Sequence, residues 1–377
     1  MKRVFLIADN IVSPFGLSSA ANFSEIAKGN SNVQLHKAGA RSPKNFYSAL
    51  FTEEFWQQNT LPSFTRFESL LSLSIKGALS QLDIDPADGK TGLIISSTKG
   101  NISLLEENEI TDSLKKEVSL SASAQKIARY FGFSAKPVIV SHACISGLVA
   151  LITAKRMLDA GLYENIVVAG ADLITRFVLS GFQSFQAVSD EPCRPFDAAR
   201  KGINLGEAAA TMILSVHQGS SESIELKGGG VSNDANHISG PSRTGQELFM
   251  AIQQAMKEAQ TEPAQVDFVS LHGTATLYND DMESKAINLA GLQSVPVNSL
   301  KGYYGHTLGA AGLVESVISV HALRENIIVP TNGFETPGTA ENINVCSTLQ
   351  HSELKTCLKT ASGFGGCNAA VVWEKNY

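Results

Sequence analysis

The sequence predicts an α/β protein built in two halves, with helices layered on sheets. Three observations lead there. Short β-branched runs recur ten times, helical stretches separate them, and a polar, turn-rich segment interrupts the pattern at residues 216–223. The first five runs are residues 4–8, 92–97, 138–141, 166–169 and 209–216. The second five are residues 224–228, 266–271, 295–298, 356–360 and 369–373. The middle runs are continuously apolar, as strands covered on both faces must be. The polar segment is the natural junction, so the expected halves are residues 1–222 and 223–377. They carry similar runs of strands without a residue-level repeat. Residues 106–117 form the most charged stretch and read as a solvated helix or loop.

Composition narrows the function classes. The 377 residues hold 30 Lys plus Arg against 36 Asp plus Glu, with 43% apolar and 18% charged residues. Disorder needs low hydrophobicity and high net charge, and neither is present. A chain of this length builds a core without staples. The acidic balance argues against a general nucleic-acid or anionic-membrane binder. The first apolar run stops at Asp9 and Asn10, which is short for a signal segment and reads as a buried strand. No apolar stretch approaches the ~20 residues of a membrane span. The cysteines are Cys144, Cys193, Cys346, Cys357 and Cys367, an odd set without a CxxC pair. That pattern predicts a reducing compartment, the cytoplasm by default.

Chemistry concentrates where strands end, as catalytic groups do in α/β sheets. At residues 138–150 a strand runs into Ser141-His142-Ala143-Cys144-Ile145-Ser146-Gly147, and a helical pattern follows. This places Cys144 near a helix N-terminus, where backbone N–H groups favour a thiolate and so an activated nucleophile. At residues 269–276, His272 closes a strand and leads into Gly273-Thr274-Ala275-Thr276. At residues 298–312, Lys301 and His306 lie between a turn and a small-residue helix start. At residues 360–370, Gly363, Gly365 and Gly366 surround Phe364, where glycines let backbone N–H groups approach a ligand. The remaining histidines, His36, His217, His237, His321 and His351, stand in no comparable context. No phosphate loop and no metal-ligand spacing occurs.

These four motifs occur in order together with Arg194-Pro195-Phe196-Asp197-Ala198-Ala199-Arg200-Lys201-Gly202-Ile203-Asn204-Leu205-Gly206-Glu207, and His272-Gly273-Thr274 continues to Asn279, Asp280 and Glu283. The set resembles the β-ketoacyl-acyl carrier protein synthases, condensing enzymes of the thiolase superfamily, over nearly the whole chain. The resemblance implies a thiolase-like, five-layered α-β-α-β-α fold built from two similar halves. It implies that Cys144 takes the acyl chain as a thioester. His272 and His306 would assist decarboxylation of a malonyl extender, with Lys301 ordering them and Glu283 as its buried partner. Thr274 and Thr276 would contact the phosphopantetheine arm. The N–H groups of Cys144 and Phe364 would form the oxyanion hole, with Phe364 also a gate. Substrates would arrive on the phosphopantetheine of acyl carrier protein, with no further cofactor and no metal. An acidic carrier needs a local basic patch, for which Arg66, Arg194, Arg200 and Lys201 are the candidates. The expected assembly is a homodimer, or a heterodimer with a related ketosynthase subunit.

The chain departs from the family pattern at Ala208, where a second Gly is usual, at His142, and at Cys367, where Thr or His is usual. The polar stretch at residues 99–121 is short for a tunnel-capping region, which leaves chain length and pathway open. Two other functions are weighed. One is a non-catalytic chain-length or partner subunit, which the intact Cys144 disfavours. The other is a thiolase-type coenzyme A enzyme, which the His–His pair and the position of Cys367 disfavour.

Overall fold

The computed structural model describes residues 2–219, 223–235 and 240–376. The expected boundary between residues 222 and 223 therefore falls at the edge of an undescribed stretch, and His237 lies outside the described residues.

Ten strands make the framework. The first half supplies β1 (Phe5–Val12), β2 (Thr91–Ser96), β3 (Val138–Val140), β4 (Asn165–Asp172) and β5 (Ala208–Ser215). The second supplies β6 (Ser223–Asn233), β7 (Phe268–Ser270), β8 (Val297–Asn298), β9 (Thr356–Gly363) and β10 (Cys367–Asn376). Each overlaps one of the apolar runs read from the sequence. Their spatial order is β3-β2-β4-β5-β1 in the first half and β8-β7-β9-β10-β6 in the second, the same order twice. The pairing senses repeat as well. β2 is parallel to β3 and β4, and β5 is antiparallel to β4 and β1. Likewise β7 is parallel to β8 and β9, and β10 is antiparallel to β9 and β6. The duplication is thus explicit in topology although no residue repeat betrays it. The two five-stranded arrays join at one edge, where Phe5 and Leu6 of β1 pair with Glu225 and Ile224 of β6.

The helices that position the site are α1 (Arg66–Leu79), α2 (Ser146–Asp159), α3 (Arg176–Ser184), α4 (Gln246–Ala259), α5 (Leu277–Leu289) and α6 (Ala311–Glu325). α2 and α6 pack on each other and on strands of both halves, forming the middle layer. α1 covers β1, β4 and β5 from one side, and α4 covers β6 and β10 from the other. This gives five layers, α-β-α-β-α. α6 is buried all round through Leu313, Val314, Val317, Ile318, Val320 and Leu323, as a helix between two sheets must be. α2 and α6 cross backbone to backbone: a Cβ at Gly147 would come within 2.7 Å of Leu313 N, and one at Gly312 within 2.7 Å of Leu148 N. That close crossing brings the start of α2, beside Cys144, next to the start of α6, beside His306. On the outer face, α1 begins with a capping box, in which Thr65 accepts from Glu68 N and Glu68 accepts from Thr65 N.

One strand extends further than expected. β1 runs through Asp9 and Asn10 to Val12, and both polar residues are buried. Asp9 is tolerated there because His321 and Arg324, both on α6, each pair with it at 2.9 Å. Residues 106–117 fall on two short helices, Leu104–Glu107 and Asp112–Val118, with mostly exposed side chains, as their charge suggests. Among the described residues no helix is long and apolar enough to cross a membrane.

Candidate active site

Cys144 sits in the turn between β3 and α2. Ala143, just before it, has a left-handed φ of 44°, a conformation that costs a non-glycine residue about 1 kcal/mol or more. Ser146 latches this turn, accepting from His142 N at 2.8 Å and donating to Ala143 O at 2.6 Å. His142 itself is exposed and does not line the cavity. The Cys144 thiol is buried and accepts a hydrogen bond from the Phe364 N–H. The Phe364 amide of the oxyanion-hole prediction is therefore aimed at the sulfur.

His272 leaves the end of β7. Its backbone is fixed by Glu283 of α5, which accepts from His272 N at 2.7 Å and Gly273 N at 2.6 Å. His306 is fixed differently. Its N–H donates to Asn204 O at 2.7 Å, and its carbonyl accepts from Gly206 N at 3.0 Å. The segment containing Asn204, Leu205 and Gly206 therefore acts as a rail for the His306 loop. Only glycine fits at 206, because a Cβ there would lie 1.8 Å from Tyr304 O. Ala208, the departure from the family pattern, is fully buried in β5 opposite Asp172 and disturbs nothing.

The two imidazoles meet edge to face, with ring centroids 5.0 Å apart and planes at 86°. Cys144, His272, His306 and Phe364 line one cavity of about 490 Å³, and Thr274 and Thr276 line it as well. The two threonine hydroxyls are 2.9 Å apart. Phe364 lies against Phe182 of α3 and Phe185 just beyond it, with ring centroids at 5.5 and 5.2 Å. This aromatic trio was not visible in the sequence, because Phe182 and Phe185 fall in an ordinary helical pattern.

Electrostatics revise the sequence expectation for the nucleophile. Burial first, and then the nearby Cys367, push the Cys144 thiol up to about 12 despite the opposing Lys301 charge. The N-terminus of α2 favours the anion, but burial outweighs it, so the resting thiol is protonated. Both histidines are held well below the usual range, first by burial and then by the Lys301 charge. They are neutral imidazoles that can accept one proton and donate another. Neither Nδ1 has a hydrogen-bond partner among the described residues, so no protein group there fixes which ring nitrogen carries the proton.

Lys301 is fully buried, but its partner is not Glu283. Its Nζ donates to Glu315 of α6. Glu315 also pairs with Lys359 of β9 at 2.7 Å. Glu283 is occupied instead by the backbone of His272 and Gly273 and by Asn279 at 2.8 Å. The reason is geometric: α5 presents Glu283 to the strand end, whereas α6 runs past the Lys301 turn. The sequence did carry a signal, since Glu315 is the lone acid in the apolar stretch of residues 308–320 and Lys359 is the lone charge in the apolar strand at residues 357–363.

The four candidate docking cations part company. Arg200 is a correction: it is buried, donating to Asp197 O at 2.9 Å and Asp281 at 2.8 Å, with Asp280 3.8 Å away. It ties its own turn to the start of α5 through Asp281 and cannot serve as surface charge. Arg66 is exposed and paired with Glu53, half-buried Arg194 lies 3.7 Å from Glu335, and exposed Lys201 lies 3.1 Å from Glu191. Cys367 is buried and donates to Phe364 O at 3.4 Å, a structural contact. Among the described residues no group of His, Cys, Asp or Glu is placed to hold a metal ion.

Known proteins share this architecture. A ketosynthase from Xenorhabdus doucetiae, solved with its chain length factor, superposes with a TM-score of 0.86 over 99% of this chain and 98% of that one, at 24% identity. A β-ketoacyl synthase from Burkholderia phymatum gives 0.86 over 100% of both chains at 23% identity. In sequence, the 3-oxoacyl-[acyl-carrier-protein] synthase 2 of Vibrio harveyi is 27% identical over 99% of each chain. Nodulation protein E of Rhizobium leguminosarum bv. trifolii is 30% identical over 68% of this chain and 65% of its own. Residues 22–218 match the family described as Beta-ketoacyl synthase, N-terminal domain, and residues 224–335 match Beta-ketoacyl synthase, C-terminal domain. The two matches follow one another in the order in which the chain builds its twin sheets, and the chain belongs to the β-ketoacyl synthase family.

Proposed function

We propose that this chain joins an acyl group, held on Cys144, to a malonyl unit on acyl carrier protein, releasing carbon dioxide and giving β-ketoacyl-acyl carrier protein. The observation that carries the reading is the meeting of Cys144, under the Phe364 N–H, with two neutral imidazoles in one cavity. In the first half-reaction the Cys144 sulfur attacks the incoming thioester. Its proton passes to a neutral imidazole and leaves on the carrier's thiol. The N–H groups of Cys144 and Phe364 receive the thioester oxygen as it gains charge. In the second, loss of carbon dioxide from the malonyl group leaves an enolate whose oxygen meets N–H donors of His272 and His306. Its carbon attacks the acyl-Cys144 thioester, and Cys144 departs as thiolate and takes a proton from water. Two aimed donors matter because one such donor typically contributes about 10²–10³ in rate.

Thr274 and Thr276 line the cavity, where the phosphopantetheine arm of the carrier would enter. Phe364, packed against Phe182 and Phe185, gates the cavity. No resident cofactor is needed, since the substrates arrive on the carrier. The partners are acyl carrier protein, with Arg66, Arg194 and Lys201 as docking cations, and a second copy or a related ketosynthase subunit. Five free, buried cysteines suit a reducing compartment, the cytoplasm.

Mass spectrometry of the protein after incubation with acyl-carrier protein tests the reading. Wild type gains the acyl mass on Cys144 and Cys144→Ala gains none. His272→Ala and His306→Ala load but condense at least about 10²-fold more slowly. Normal chain elongation by Cys144→Ala would overturn the assignment. Absence of any Cys144 adduct with active carrier would favour the partner-subunit reading instead.

A further inference from the structure

A buried cation lies one layer behind the histidines and is absent from the mechanism just given. Lys359 is fully buried in β9. Its Nζ donates to Ser270 O and Leu271 O, each at 3.1 Å, and pairs with Glu315 at 2.7 Å. An ammonium has three N–H donors; the two carbonyls take two of them, and the Glu315 contact is ionic. Ser270 and Leu271 are the two residues before His272. We propose that Lys359 is a positioning residue for the histidine pair, gripping the strand end that presents His272 and sharing Glu315 with Lys301 to hold the charge balance beneath both rings. The proposal rests on the condensing function above and adds a residue to it.

The charges that face this region come from several elements. Lys301 is on the turn before His306, Glu315 on α6, Lys359 on β9 and Glu283 on α5, with Asp280 behind Glu283 and Cys144 across the cavity. Glu315 divides its two oxygens between the two lysines. Glu283 also acts on the Lys359 charge from the far side. Two cations therefore face two anions. A fully buried ammonium is costly unless paired and hydrogen-bonded, so its retention here calls for a reason beyond packing. Removing its charge leaves an anionic excess beside the imidazoles. That excess favours imidazolium, and an imidazolium cannot take the proton from Cys144. Lys359 thereby keeps the pair able to accept a proton as the pH falls. The Lys359 charge lowers the proton affinity of both rings, after burial and the Lys301 charge, which is the expected direction.

The experiment separates charge from hydrogen bonding. Lys359→Gln keeps N–H donors for the two carbonyls and removes the charge, whereas Lys359→Arg keeps the charge. Cys144 acylation is followed by mass between pH 5 and 8 with acetyl-, hexanoyl- and decanoyl-acyl carrier protein. Histidine ring NMR signals of the substrate-free protein are titrated over the same range. Wild type and Lys359→Arg change little across this range. Lys359→Gln loses about tenfold at the acid end relative to pH 8, and its ring signals titrate about one pH unit higher than wild type. Equal losses for Gln and Arg at every pH, or unmoved ring titrations in Lys359→Gln, would overturn the proposal. Should Lys359→Gln not fold, Lys359→Gln/Glu315→Gln removes one charge of each sign, and a ring titration displaced from wild type in that variant overturns the charge-balance argument. Failure of the function reading looks different: wild type forms no acyl-Cys144 with any carrier, whatever the rings do.

Discussion

Cys144 rests as a thiol pushed up to about 12 by burial, beside two imidazoles held neutral. Because its pKa is raised, the thiolate fraction is small at neutral pH and grows as pH rises. Alkylation of the free protein by iodoacetamide should therefore accelerate steadily from pH 6 to 9 without reaching a plateau. A plateau near pH 7, read by mass on the Cys144 peptide, would mean that the end of α2 outweighs burial. Glu283 offers a second residue-scale test. Two backbone N–H groups at the His272 turn depend on it, and orphaning buried donors costs about 1–3 kcal/mol each. Glu283→Ala should lower the unfolding midpoint and slow condensation more than acylation, since His272 loses its place while Cys144 keeps its own. Both residues stand out in the sequence, but Glu283's role did not, because its spacing after His272 fits a charge partner as well as a backbone clamp.

At the scale of elements, the site depends on where segments approach too closely for a side chain. α2 and α6 touch backbone to backbone at Gly147 and Gly312. Gly312→Ala would drive its methyl into Leu148 N at 2.7 Å, and neither helix can yield without shifting a buried layer. We expect a loss of at least about 2 kcal/mol in urea unfolding and a weakened condensation rate, because the displaced helix starts carry Cys144 and His306. Gly206→Ala makes the converse prediction. Its clash is with Tyr304 O, so condensation should fall while acylation of Cys144 persists. The strands themselves were legible: all ten runs became sheet strands. The small three-stranded sheet of Gln34–His36, Phe46–Ala49 and Leu205–Gly206 was not, because its segments are two to four residues long and partly polar.

The whole molecule is one strand order used twice, and ionic contacts tie its halves. Asp9 of β1, with His321 and Arg324 of α6, is one such tie between a first-half strand and a second-half helix. Burial by itself would raise the Asp9 carboxyl, but the hydrogen bond and charge of His321, with the charge of Arg324, bring it down to about 2. A lowered folded pKa contributes stability that is present above the unfolded value near 4 and is lost as pH falls toward 2. The contribution is of order 2 kcal/mol. Asp9→Asn should therefore destabilise the protein at pH 6 and much less at pH 2.5. Equal loss at both pH values, in chemical unfolding, would show that Asp9 is not a charge-based tie.

The layered α/β class, the ten strands and the candidacy of Cys144, His272, His306 and Phe364 were legible from residue pattern alone, because strand ends and glycine turns leave local marks. Which acid meets which base was set by the folded arrangement instead. Lys301 finds Glu315 rather than Glu283, Arg200 turns inward, and Lys359 joins the cluster from β9. Partners for a buried charge are chosen by which layers come together in space. Those layers are brought together by the crossing of α2 and α6, which the chain completes only after about 300 residues.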